Sequence, residues 1–199
     1  MAEMFLRRLT RWQAEQQRES FADLYVEAYA GVPGEEFRDR QEFLRRFAEH
    51  VQRPEFEFAV ATGEELMGCA YGFRVSCSGE WWRGLGRTLS SREEELTASL
   101  EELTASGQVF VLAEMMVLPP YRRQHIATRL VDHLLVRSDA ARAIALVGPG
   151  NVLARATFRS WSWTDLRATA EPGAAAEPGA PGAASDEPTP EVWSRLLPH

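Results

Sequence analysis

Residues Glu114 to Leu130 read Glu-Met-Met-Val-Leu-Pro-Pro-Tyr-Arg-Arg-Gln-His-Ile-Ala-Thr-Arg-Leu, and this order of residue types leaves few folds open. Val109 to Val117 is rich in β-formers, as in a strand buried on both faces. Ile126, Leu130 and Leu134 recur every four residues, as one face of a helix requires. Between them lies a proline turn followed by Arg122 and Arg123. The first amides of a helix have no intrahelical partners and sit at the positive end of its dipole. A strand, a basic loop and a helix start in this order therefore form a layout suited to a phosphate or pyrophosphate.

Arg122-Arg-Gln-His-Ile-Ala127 resembles the Arg/Gln-x-x-Gly-x-Gly/Ala signature of the Gcn5-related N-acetyltransferase (GNAT) family, and Glu114-x-x-Val-x-Pro119 looks like that family's fourth strand and its exit. A second patch agrees: Asn151-Val-Leu-Ala154, Phe158 and Ser162-Trp163 are similar to the later Asn-x-x-Ala…Tyr-x-x-x-Gly-Phe segment. The resemblance implies an α/β (α+β) fold of the acyl-CoA N-acyltransferase type, with a mixed, mostly antiparallel central sheet flanked by helices. It also implies acetyl-CoA as acyl donor, held by Met116, Val117, Arg122, Arg123, Gln124, His125, Ile126, Ala127, Thr128 and Asn151. Met116 and Val117 stand at the splayed strand end expected to pair with the pantetheine arm and to offer an amide to the thioester oxygen. Glu114 is the candidate general base, able to take an amine proton directly or through water; a purely structural hydrogen bond is the other reading of this residue.

Two positions depart from the family pattern. Phe158 stands where a tyrosine is expected to protonate the departing thiolate, and a phenyl ring has no proton to give. A thiol of ordinary acidity, near ~8.5, still leaves tolerably as thiolate, and Tyr121, Ser160 or water could replace the missing acid. His125 occupies the place of the first glycine, where the lack of a side chain lets backbone and pyrophosphate approach; it either points outward or donates to a phosphate.

A chain of 199 residues is long enough to form one domain without metal or disulfide support. Its formal charge of −7 and the absence of a long basic run argue against nucleic acid as partner. All 22 basic residues are Arg, which excludes lysine Schiff-base and lysine general-base chemistry. Cys69 lies in a strand pattern and Cys77 in a loop, with no His spaced for a metal, so no metal is assigned. No signal-peptide core and no membrane-length apolar run are visible, and the expected location is cytoplasmic.

Along the chain, Phe5 to Leu9 is either a first strand or the opening turn of a helix over Trp12 to Ala30, which Gly31-Val-Pro-Gly34 stops. A second helix is expected over Phe37 to Val51. Phe56 to Val60 and Leu66 to Val75 form a hairpin pattern. A helix from Ser91 to Ser106 carries a near repeat, with Leu96, Leu100 and Leu103 on one stripe, a Ser91/Glu94 capping box and an acidic face. That face is either simply solvated or a rim that attracts cationic amines. Residues 169–190 are Pro/Ala/Gly-rich and expected to be disordered. Glu191 to Leu197 is strand-like, returning to pair with a strand over Trp163 to Thr169 or anchoring a tail. The resulting division is a domain over 1–168, a loop over 169–190 and a returning strand over 191–199. The expected activity is acetyl transfer to a primary amine, a small cationic molecule or a protein amine, by a monomer or homodimer. The rival reading is a CoA-binding or protein-interaction module that has lost catalysis.

Overall fold

Alternating and continuous apolar runs build a seven-stranded sheet in the order β1-β2-β3-β4-β5-β7-β6. The structure, a computed structural model, describes residues 4–30, 39–75, 100, 102–148, 150–166 and 190–198. The strands are β1 (Phe5–Leu9), β2 (Glu57–Thr62), β3 (Leu66–Arg74), β4 (Val109–Val117), β5 (Arg142–Val147), β6 (Thr164–Asp165) and β7 (Glu191–Leu196). Every pairing is antiparallel except β4 with β5. The mixed, mostly antiparallel sheet is the one expected.

Helices cover both faces. On one side lie α1 (Arg11–Gln16), α2 (Arg18–Tyr29) and α3 (Arg40–His50); on the other lie α4 (Ile126–Leu135) and α5 (Val152–Ser160). The first pair corrects the single helix expected from Trp12 to Ala30. Thr10 and Gln13 form a capping box that starts α1, and a break at Gln17 separates it from α2. α3 starts at Arg40 because the Asp39 carboxylate accepts from the Gln41 amide at 2.8 Å. Phe5–Leu9 is the strand alternative, paired residue for residue with β2.

β6 is two residues long, and β7 lies between it and β5. The expectations for Gly31 to Gly34, Phe37, Cys77, the Ser91/Glu94 box and the Pro/Ala/Gly-rich stretch fall outside the described residues. Of the acidic segment, residues 102–105 are helical, with Leu100 buried and Leu103 packed beside it on the apolar side. None of the described helices is long and apolar enough to cross a membrane.

Two large cores result. Under α1 to α3 the rings of Phe21, Phe43, Phe47, Phe58 and Tyr71 are fully buried, with Phe58 and Tyr71 stacked at 5.4 Å. Under α4 and α5, Ile126, Leu130 and Leu134 meet Phe110, Leu112, Phe158 and Trp193. Residue types at period four and period two therefore predict the burial correctly on both sides.

β4 departs from regular geometry. Gly72 pairs with Leu112 and Tyr71 with Glu114, so Ala113 is an extra residue, a β-bulge. Because side chains alternate along a strand, the bulge exchanges faces. Leu112 packs under α4, Met115 and Val117 do the same, and Met116 packs under α1 to α3. Glu114 is thereby turned away from α4 and toward α2 and α3. The strands approach closely here: a Cβ at Gly72 would fall well inside contact distance of the Val111 carbonyl oxygen and the Phe110 ring. Gly72→Ala is expected to cost about 3 kcal/mol through overpacking and to lower Tm by about 10 °C, measured by calorimetry; a shift under about 2 °C would show that the strands can yield.

Candidate active site

The parallel ladder joins Val109–Leu112 to Arg142–Ala145 and then stops, although β4 continues to Val117 and β5 to Val147. The two strands diverge, and a cavity of about 350 Å³ opens between them. Its walls are the edge of β4 from Val111 to Met115, the end of β5, the start of α5 with Asn151, and Phe158; Tyr29, Arg46 and His50 close it from α2 and α3. Past Leu112, β4 keeps β3 on one side while its other edge has lost its strand partner, so peptide N–H and C=O groups face the opening.

Glu114 sits at this edge with 9% exposure. The Tyr29 hydroxyl donates to its Oε1 at 2.6 Å, and Arg46 Nη2 donates to its Oε2 at 3.0 Å. Burial works against the Arg46 charge, but the Glu114 carboxylate together with Tyr71 and Tyr25 outweighs it and holds the guanidinium above its ordinary pKa. Arg46 also lies 5.6 Å from the Tyr25 ring centroid. His50, 4.9 Å from the Phe73 ring and 3.4 Å from the Tyr71 hydroxyl, is pushed down to about 4 by burial and by the Arg46 and Arg53 charges. It is a neutral wall of the cavity at neutral pH. Burial, reinforced by Glu114, raises Cys69 and Tyr71 well above their ordinary values, so both stay protonated.

Tyr29, Arg46 and His50 do not figure among the residues expected from the sequence. A signal was present for α3: Phe43, Arg46, Phe47 and His50 fall at i, i+3, i+4 and i+7, so an arginine interrupts an otherwise apolar and aromatic stripe. Tyr29 is one turn beyond Tyr25 on the buried face of α2.

The loop before α4 is built from two left-handed residues, Arg123 at φ 60° and His125 at φ 59°. His125 is exposed and precedes α4 without a side-chain cap bond, leaving the first amides of Ile126, Ala127 and Thr128 aimed out of the helix start. Ser162, at the other position where resemblance calls for glycine, is also left-handed at φ 60°. Both sites keep a backbone that glycine adopts without cost.

The remaining expected residues take varied places. Arg122 donates through Nε to the Val117 carbonyl at 3.1 Å and through Nη2 to the Ala28 carbonyl. Its charge thus ties the loop to the ends of β4 and α2. Gln124 donates to the Pro120 carbonyl at 3.3 Å, and the Thr128 hydroxyl accepts from the Trp161 indole at 3.0 Å. Asn151 caps α5, accepting from the Ala154 amide at 2.9 Å. The side chains of Met116 and Val117 pack into the two cores, while their backbone carries the β4 edge from the cavity toward the α4 start. Tyr121 and Ser160 do not supply a hydroxyl in place of the missing one: the first donates to Glu65 and the second to the Thr157 carbonyl at 2.7 Å, and neither lines the cavity. Phe158 is buried among Trp163, Trp161 and Trp193, with centroids 4.8 to 6.0 Å away. Among the described residues, no group of three His, Cys, Asp or Glu side chains is placed to hold a metal.

A bulged fourth strand, its divergence from a parallel fifth strand and a left-handed loop opening a helix define the acyl-CoA N-acyltransferase fold class. The acetyltransferase (GNAT) family model matches residues 14–161, more than half of the chain, and the protein belongs to that family. Solved structures agree on the fold. An acetyltransferase from Thermus thermophilus is similar at a TM-score of 0.60 with 12% identity, covering 99% of this chain and 100% of that one. The PaiA N-acetyltransferase from Thermoplasma acidophilum, in complex with coenzyme A, reaches 0.56 with 10% identity, covering 98% and 99%. An aminoglycoside N-acetyltransferase in complex with CoA reaches 0.52 with 13% identity, covering 81% and 88%. A comparison with curated protein sequences finds no match.

The folded-state pKa of His50 lies below its ordinary value of 6.5, so the unfolded chain takes up the proton first as pH falls. The stability that neutral His50 represents is complete above pH ~6.5 and is lost toward pH 4, on the order of 3 kcal/mol in full. His50→Gln should therefore lose less stability than the wild type between pH 7 and 4.5 in urea titrations; identical losses would contradict the assignment. His125→Gly removes a side chain from a left-handed position, a gain of about 1 kcal/mol less some unfolded-state entropy. It should raise Tm by about 2 °C in differential scanning fluorimetry, whereas a fall would mean that the histidine side chain supports the loop.

Proposed function

We propose that the protein transfers the acetyl group of acetyl-CoA to a primary amine by direct attack of the amine on the thioester. The observation that carries this reading is the divergence of β4 from β5 with Glu114 at its edge. It joins an open peptide edge, a carboxylate and a helix start along one path. The α4 amides fit the pyrophosphate, because they are donors without intrahelical acceptors at the positive end of a helix dipole. The β4 edge fits an amide-bearing arm lying alongside it as a strand would, and its N–H groups suit a thioester oxygen. Arg123 lends positive charge beside the loop, and Arg122 holds the loop in place.

Glu114 serves as the proton sink of the reaction. The Arg46 ion pair and the Tyr29 hydroxyl hold it oriented toward α3 and α2. Phe158 makes an apolar part of the cavity wall that limits water near the thioester. The acceptor is a primary amine; the formal charge of −7 favours a cationic one at long range, while Arg46 cancels the pull of Glu114 inside the cavity. Residues 1–168 and 191–199 act as one domain, since β7 completes the sheet beside β5.

The test combines binding and turnover. Acetyl-CoA at about 100 times its Kd should stabilise the protein by about 2.7 kcal/mol, a rise of roughly 5–10 °C. Ala127→Glu, which sets a negative charge among the α4 amides, should remove most of that rise; an unchanged shift would overturn the placement. With a pooled amine library, free CoA should appear together with mass gains of acetyl size. Binding without transfer to any amine or protein acceptor would favour a CoA-binding module instead.

A further inference from the structure

We infer that Tyr29, rather than Glu114 itself, touches the attacking amine, and that its hydroxyl passes the amine proton to Glu114. This inference rests on the acetyl-transfer reading and names the group through which the carboxylate acts. Glu114 is only 9% exposed, and both of its oxygens are engaged, Oε1 by Tyr29 at 2.6 Å and Oε2 by Arg46 at 3.0 Å. An amine in the cavity meets the phenol that Tyr29 extends from the last turn of α2. Its hydroxyl has one proton to donate and two acceptor sites. With the proton directed at a carboxylate, the oxygen is oriented to accept an N–H. A separation of 2.6 Å is in the range of short charge-assisted bonds, in which a proton crosses readily.

The proton balance closes with these groups alone. The amine nitrogen forms a bond to the thioester carbon, and the carbonyl π electrons move to oxygen. Nitrogen in that adduct is far more acidic than in an ordinary ammonium ion, so a carboxylate suffices to receive its proton. One N–H proton moves to the Tyr29 oxygen as the Tyr29 proton moves to Glu114 Oε1. The oxyanion then reforms the carbonyl, the C–S bond breaks, and sulfur leaves with the electron pair. The proton returns from Glu114 through Tyr29, or from water, to the thiolate, so that the net transfer is from nitrogen to sulfur. Phe158 cannot take part, and among the described residues the hydroxyl lining the cavity is that of Tyr29.

Among the described residues, the groups facing Glu114 are Tyr29 on α2, Arg46 on α3 with His50 one turn beyond, and Cys69 and Tyr71 on β3. Between pH 6 and 9, His50 is neutral, Arg46 is charged, and Cys69 and Tyr71 are protonated. Among these neighbours, none changes charge in that range, so their titration does not shape the rate profile there.

The experiment compares wild type, Tyr29→Phe, Glu114→Gln and the double variant, using the acceptor found in the amine screen. Tyr29→Phe should lower kcat about 100-fold or more at pH 7, with the KM for acetyl-CoA and its thermal shift unchanged and with partial rescue at pH 9. Glu114→Gln should fall as far, and the double variant no further, because the two act as one unit. A Tyr29→Phe variant within threefold of wild type beside a slow Glu114→Gln would overturn the relay and leave acetyl transfer standing. Multiplying losses would overturn it as well. A wild type that binds acetyl-CoA yet acetylates nothing would overturn acetyl transfer itself, and the relay with it. A readout independent of turnover uses tyrosine labelled with ¹³C at Cζ. The resonance lost in Tyr29→Phe should move in Glu114→Gln, and a resonance that stays in place would show that the hydroxyl is not bonded to the carboxylate.

Discussion

A single extra residue in β4 decides where Glu114 points and where the cavity beside it lies. With Ala113 bulged out, Tyr71 faces Glu114 and Gly72 faces Leu112. Without it, Glu114 would share the face of Leu112, beneath α4, in a core of Ile126, Leu130 and Phe110. An ionised carboxylate there would have no partner, and burial of an unpaired charge is among the costliest errors a core can contain. The bulge instead delivers the carboxylate to Tyr29 and Arg46, and the parallel ladder with β5 ends at Leu112, one residue before the bulge. Cavity, carboxylate and open peptide edge are three consequences of one local irregularity. Gly72 makes it possible, because any side chain there would collide with β4.

Much of this architecture is legible in residue order. The four-residue recurrence of Ile126, Leu130 and Leu134 places α4 with its buried face, and the continuous run Val109 to Val117 places β4 as a strand. The Asn151 segment is a helix start because its side chain is a cap. The bulge is not legible, since Ala113 is an unremarkable strand residue and its offset exists only relative to β3. The Tyr29–Glu114–Arg46 cluster is hidden for a similar reason: its members are separated by 85 and 68 positions and meet only after α2 and α3 dock on the sheet. The break at Gln17 eludes periodicity, because the apolar positions of α2 continue those of a longer helix.

His125 and Ser162 show how a family pattern can lose its letters and keep its geometry. Resemblance asks for glycine at each position, and the backbone is left-handed at both, φ 59° and 60°. Glycine is the cheapest occupant of such a dihedral angle. Arg122 shows the converse. Its letter matches the pattern, but its guanidinium grips the carbonyls of Val117 and Ala28. A cation at the C-terminal end of α2 is electrostatically well placed, and by holding the loop against β4 and α2 it sets the direction of the α4 amides.

Arg46 and Glu114 raise the question of why a largely buried ion pair stands at the cavity wall. Desolvating both charges costs several kcal/mol, and a matched apolar pair would often serve stability as well or better. The asymmetry of that cost is informative. Removing either partner leaves the other charged in a poorly hydrated place, so each residue enforces the other, and together they fix the inner end of α3 against β4. The Tyr29 bond completes the cluster on the side facing the cavity. A carboxylate held between a guanidinium and a phenol is fixed in place at the cavity wall, with a hydroxyl beside it. That combination is a poor solution for stability alone and a good one for moving a proton along a fixed path.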